Sequence, residues 1–203
     1  LGLALAIATT LSPAAEPVLR FTNAGLRVAV DPASGRVVEF IDRVSNQNFV
    51  APDSPTGELW DIEFSGAPPN RASPTNAQKV YVEALQDGRN GWRTRWSGFG
   101  TPLPPGLQVE MTVELGPGSS LSRWNLAVLE SGGVDLARLQ FPRLRRLPHL
   151  DNERLAMPFW AGLLASEPRK ALSRSSSGAG RREVDYPGHG SLLCLAFYSE
   201  GGP

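Results

Sequence analysis

Two histidines, one cysteine and a scatter of carboxylates are the side chains from which this sequence could assemble a reactive centre. His149 and His189 stand far apart in the chain, with Asp151 and Glu153 close behind the first. Brought together in space, such a set could move protons on a substrate; left apart, the histidines are solvated loop residues. No Cys/His grouping has zinc spacing, and the lone Cys194 excludes a thiolate cage, so no metal or cofactor is expected. Cys194 lies in the apolar run 191–198, where burial is the expected role. Gly188-His189-Gly190-Ser191-Leu192 has the outline of a nucleophile elbow, yet the elbow needs Gly-x-Ser-x-Gly, and Ser191 follows Gly190 directly. Ser166 and Lys170 have the wrong spacing for a Ser-x-x-Lys site, and Pro168 between them is expected to break the helix it needs.

Carboxylate pairs and aromatic rings are the features that could act on a sugar. Glycosidic cleavage uses two carboxyl groups about 5–9.5 Å apart. Glu110 and Glu114 share one strand face with Thr112, a pattern that a solvated outer face explains. Asp151 and Glu153 follow the basic segment Arg143-Leu144-Arg145-Arg146, where ion pairing is the expected role. Five tryptophans could stack on sugar rings, but Trp60, Trp92, Trp96, Trp124 and Trp160 all sit where a sandwich core would take them. Trp92 is the exception to watch for carbohydrate binding, because it adjoins a turn from which a side chain can reach a cleft. No catalytic residue is assigned.

The elements that must position these groups are strands. In 203 residues there are 21 Gly and 18 Pro, high for a helical protein but short of the ~25–30% that marks low-complexity disorder. Residues 18–22, 26–30 and 37–41 are β-prone runs parted by Asn23-Ala24-Gly25 and Asp31-Pro32-Ala33-Ser34-Gly35, which predicts an antiparallel meander. Residues 58–64 alternate, with Trp60, Ile62 and Phe64 facing inward. Residues 79–85 and 92–96 flank the turn at 87–91, with Trp92, Thr94 and Trp96 on one side and both arginines on the other. The clearest alternation is 107–115; 121–129 follows, and 134–141 is expected to complete a hairpin across Ser131-Gly132-Gly133. Residues 171–182 read as a Ser/Gly-rich flexible excursion and not a helix. The fold class is therefore all-β, a large antiparallel β-sandwich of the supersandwich type, running through residues 18–203.

Charge and termini bound the setting. Twenty basic and twenty acidic side chains cancel, which argues against a general nucleic-acid binder. The uncharged apolar run 1–11 is too short to span a bilayer, and with small residues at 12–15 it reads as the remnant of a secretory signal peptide. The alternative is a buried element of the fold. A secreted or periplasmic location without a membrane span is expected. Residues 191–198 followed by Glu200-Gly201-Gly202-Pro203 look like a hairpin lacking its second strand, so the chain is expected to be part of a larger exported protein.

An ordered series in the second half carries a family likeness. Phe141-Pro142-Arg143-Leu144, Leu155-Ala156-Met157-Pro158 with Gly162, Tyr186-Pro187-Gly188 and Leu195-Ala196-Phe197-Tyr198 ahead of Gly201-Gly202 form that series. Phe21-Thr22-Asn23-Ala24-Gly25-Leu26, residues 31–35 and Phe40-Ile41-Asp42 fit its opening. Over residues 18–202 the chain resembles the N-terminal, galactose-mutarotase-like β-sandwich of an uncharacterised group of glycoside-hydrolase-like proteins. That resemblance implies a (β/α)8 barrel in cis, beyond Pro203, holding the catalytic carboxylates. It implies a poly- or oligosaccharide partner, with Tyr186, His189 and the Arg143–Arg146 segment as positions that could reach the rim of an active cleft. The expected function is a non-catalytic sandwich domain of an exported glycoside hydrolase. A free-standing carbohydrate-binding or cell-surface module is the alternative, and a sugar epimerase using His149 or His189 is the third reading.

Overall fold

A computed structural model describes residues 17–50, 59–66, 70–143, 147–157, 162–173 and 196–199. Period-two alternation dominates them. Helical structure is confined to a 3-10 turn at Pro74–Asn76 and one six-residue α-helix among the described residues. The fold is all-β, of sandwich type, and every strand pair is antiparallel. No described helix is long and apolar enough to cross a membrane.

The first sheet is the expected meander: β1 (Leu19–Thr22), β2 (Leu26–Val30) and β3 (Val37–Asp42) in that order. A second sheet contains β4 (Asp61–Phe64) and the short β5 (Arg71–Ala72). The largest sheet runs β6 (Lys79–Ala84), β7 (Gly91–Ser97), β8 (Gln108–Leu115) and β9 (Ser122–Glu130), each strand beside the next in sequence. Its inner face presents Trp92, Thr94 and Trp96 from β7 and Val109, Met111, Val113 and Leu115 from β8, all fully buried. The other two sheets close onto that face. Phe21 of β1 stacks on Trp92 at 5.3 Å, Phe40 of β3 meets Trp124 edge-on, and Trp60, just before β4, meets Trp96 edge-on at 5.6 Å. Burial of large aromatic surfaces is the main stabilising contribution here.

Turn chemistry sets the registers. In the loop between β6 and β7, Asp87 and Gly88 both take positive φ (63° and 73°) at the centre of a turn closed by Arg89 N–H to Gln86 C=O at 3.4 Å. Between β2 and β3 the backbone closes through Gly35 N–H to Asp31 C=O at 2.8 Å, with Gly35 at φ 69°. A Cβ on Gly35 would lie 2.7 Å from Thr94 Cγ2 and 3.1 Å from the Trp96 ring. Gly35→Ala is therefore expected to cost about 2 kcal/mol, from the left-handed backbone and overpacking together. Urea denaturation measures this, and an unchanged midpoint would mean that the turn is not pressed against β7.

Two sequence expectations need correction. β10 (Leu136–Gln140) does not complete a hairpin with β9; it crosses to the second sheet and pairs with β4, giving the order β10-β4-β5. Both ends of the crossing are tied to the β4 segment, by Ser65 N–H to Asp135 C=O and Arg143 N–H to Leu59 C=O. Val134 and Phe141, flanking β10, pack against the core, so the strand follows its anchors. Second, Pro168 starts a helix, α1 (Pro168–Ser173), which takes in residues 171–173 of the expected excursion. Proline is tolerated in the first helical turn, where its missing N–H would have no partner.

The chain divides after Leu147 into two compact units. Every described strand after that point pairs only with others after it: β11 (Glu153–Met157) lies between β12 (Leu163–Ala165) and β13 (Ala196–Ser199). The suggested signal remnant at 1–15, Cys194 and Trp160 lie outside the described residues.

Candidate polar sites on the two units

The outer face of the four-stranded sheet collects the polar half of each alternating strand. Register places Tyr81 of β6, Arg95 of β7 and Glu110 of β8 in one row across the sheet. Glu83, Arg93 and Thr112 form the next row, continued by Asn125 of β9. Both β7 arginines meet Glu110, Arg95 Nε at Oε2 (2.6 Å) and Arg93 Nε at Oε1 (3.3 Å), and Arg93 also reaches Glu83 at 3.3 Å. The Glu110 hydrogen bond holds the Arg95 guanidinium still more firmly in its charged form. Tyr81 stands at the edge of this array with 57% of its surface exposed, its hydroxyl donating a long 3.4 Å bond to Glu83. The expected solvated face of Glu110, Thr112 and Glu114 is thus present, but its centre is an ordered ladder of alternating charge. Tyr81 went unremarked in the sequence, although the alternation of residues 79–85 already put it beside Lys79 and Glu83.

Of the four residues singled out for carbohydrate binding, two are described. Trp92 is corrected: it is 0% exposed, with Phe21 covering one ring face and Trp124 meeting it edge-on, so it offers no stacking surface to a sugar. The turn beside it did not open a cleft because β1 lies over it. Arg143 is 17% exposed and ion-paired with Asp61 at 3.3 Å, the same carboxylate that Arg71 holds at 2.6 Å. It serves as a clamp between the chain after β10 and the start of β4. Tyr186 and His189 lie outside the described residues.

The second unit has its own charged knot, with different partners from those expected. Glu153, at the start of β11, is buried and takes two hydrogen bonds from Arg169 Nε of α1, at 2.8 and 3.0 Å. Arg169 also donates to Pro148 C=O at 2.9 Å and lies over the Phe197 ring of β13. His149 approaches the same carboxylate at 3.7 Å but is 78% exposed. Among the described residues no three His, Cys, Asp or Glu side chains gather as metal ligands would.

Burial pushes the Glu153 carboxyl up, but the Arg169 hydrogen bonds, the Leu150 N–H and the Arg169 and His149 charges outweigh it and hold it below the ordinary 4.5. A depressed folded value means that the unfolded chain takes up the proton first as pH falls. The knot's contribution is therefore complete above about pH 4.5 and is lost as the pH drops through the lowered folded value. Amide protection factors in β11 and β13, taken relative to the intrinsic exchange rate at each pH, are expected to fall on acidification from about pH 6 to about pH 3, and to do so less in Glu153→Gln. Identical profiles in the two proteins would remove Glu153 as the source.

No protein-family model matches the chain, and no curated protein matches it in sequence.

Proposed function

We propose that this chain is a non-catalytic β-sandwich domain of an exported carbohydrate-active enzyme, of glycoside-hydrolase type, whose bond-breaking groups reside in a catalytic domain in cis. The observation that supports it best is the state of the carboxylates. A glycosidase acid must hold its proton near neutral pH, which needs a raised pKa. Glu153 is shifted the other way by Arg169, and Glu110 is clamped between Arg93 and Arg95. Glu153 is thus a fixed, charged acceptor, and Glu110 is occupied by structural ion pairs. The all-β sandwich and the residue series from Phe141 to Tyr198 agree with the likeness to glycoside-hydrolase N-terminal domains.

The polar outer sheet face with its exposed Tyr81 favours a second reading, a free-standing carbohydrate-binding module. The decisive experiment compares this chain with a longer product of the same gene on a panel of aryl glycosides and polysaccharides. The expected result is no turnover by the 203-residue chain and release of reducing sugar by the longer one. Turnover by the short chain, abolished in Glu153→Gln, would overturn the proposal, and so would a longer product inert on every glycoside.

A further inference from the structure

We infer that β9 is the contact strand of a two-fold symmetric dimer, in which a second copy of this chain lays its own β9 antiparallel to this one. The inference is independent of the carbohydrate reading. β9 is the longest described strand, nine residues, and it ends its sheet, pairing only with β8. Burial falls away there: Val109, Met111 and Val113 of β8 are fully buried, while Val128, Leu126 and Trp124 opposite them are only partly so. The Gly116 N–H to Leu121 C=O bond sets the phase of the pairing, so Arg123, Asn125 and Ala127 turn their backbone groups toward β8. Trp124, Leu126 and Val128 turn theirs to the open edge, where no described backbone group bonds them. Proline and charge, the usual guards against edge pairing, are both missing from residues 124–128.

The strand is complementary to itself, which singles out a second copy as the occupant. Overlap of the whole of Ser122–Glu130 with its antiparallel copy sets Leu126 opposite the partner's Leu126. Trp124 then faces the partner's Val128 and Asn125 the partner's Ala127, inner face to inner face and outer to outer. The Leu126 and Trp124–Val128 pairs are those whose backbone groups point outward, so about six N–H···O=C bonds close around the axis. Their side chains continue the apolar inner face across the junction. Charge completes the match. Arg123 and Glu130, near the two ends of the strand, are exposed, and neither has an ion pair among the described residues. The bulge at Leu129 keeps Glu130 on the outer face, paired with Gln108, so Arg123 meets the partner's Glu130 there. Each Arg123 would lie between that carboxylate and Glu114, its neighbour on β8. β6, at the other edge, lacks this symmetry: its six residues overlap fully only by setting opposite faces together, and Lys79 and Glu83 stand on it. One strand pair buries little area, so the dimer is expected to be reversible and micromolar.

Sedimentation velocity of the full chain from about 1 to about 200 μM tests the inference, and a monomer–dimer equilibrium is expected. Arg123→Glu is expected to weaken it about tenfold, because the change acts at both ends of the contact, and Glu130→Arg likewise. The double variant restores opposite charges and should return close to the original affinity. Both side chains are exposed, so circular dichroism stays unchanged. The Trp124, Leu126 and Val128 amides are expected to gain protection from exchange as the concentration rises. Three results would overturn the inference: a monomer throughout the range, a double variant no tighter than the single ones, or growth beyond the dimer, which marks a head-to-tail contact. Protection of those three amides already in dilute monomer would show that another part of the chain covers the edge, and this too would overturn it.

Discussion

Trp96→Ala is expected to remove about 3–5 kcal/mol from the stability of the first unit, the range for truncating a large core aromatic. The ring is fully buried on the inner face of β7 and meets Trp60 edge-on at 5.6 Å. It also forms part of the surface against which Gly35 closes the β2–β3 turn. Removing it therefore leaves a cavity where all three sheets of the unit converge. Close-packed surroundings fill such a space only partly, which is why the loss exceeds the transfer energy of the ring alone. Equilibrium urea unfolding with far-UV detection measures the change, and Trp96→Phe should recover a substantial part of it. A shift below about 1 kcal/mol would mean that the core collapses around the gap and that Trp96 is not a keystone.

The second large effect is expected from a change of one atom type. Asn23, 8% exposed, uses its whole side-chain amide. Its Oδ1 accepts from Gly25 N–H at 3.1 Å and Leu26 N–H at 2.7 Å, closing the β1–β2 turn. Its Nδ2 donates to Gly116 C=O at 3.3 Å and Leu121 C=O at 3.0 Å, on either side of the β8–β9 turn. One side chain thus ties the two layers together. Asn23→Asp keeps the shape and the acceptor but turns the donor into a carboxylate oxygen facing two carbonyls. The loss is expected to be about 3 kcal/mol near pH 7, from two unsatisfied acceptors and a poorly solvated charge. The facing carbonyls would raise the carboxyl's folded pKa, and a protonated carboxyl regains one donor. Part of the loss should therefore return as the pH falls through that raised value. Thermal unfolding at about pH 7 and about pH 5 checks both statements, and a penalty equal at the two values would reject the electrostatic account.

Much of the fold is legible in the residues because a strand's two faces are written in alternate positions. Leu107 to Leu115 could be oriented from the sequence, and so could Trp92-Thr94-Trp96 with its outward arginines. The burial of Val109, Met111, Val113 and Leu115 follows that pattern without exception. Asp87-Gly88 likewise announces a turn that only residues tolerant of positive φ can make. The outer charge ladder is half legible: alternation puts Tyr81, Arg95 and Glu110 on polar faces, but their alignment depends on the register between three strands.

The sequence alone determined the strand faces, the turns and the all-β class, because these depend on neighbours within a few residues. Only the tertiary structure decided that β10 pairs with β4 and not with β9, and that Asp61 and Arg169 take the partners once assigned to other charges. It alone showed that Trp92 lies under Phe21 instead of facing solvent. Each of these pairings joins residues far apart in the chain, and alternation carries no term for which distant surface wins the competition to cover an exposed edge or ring.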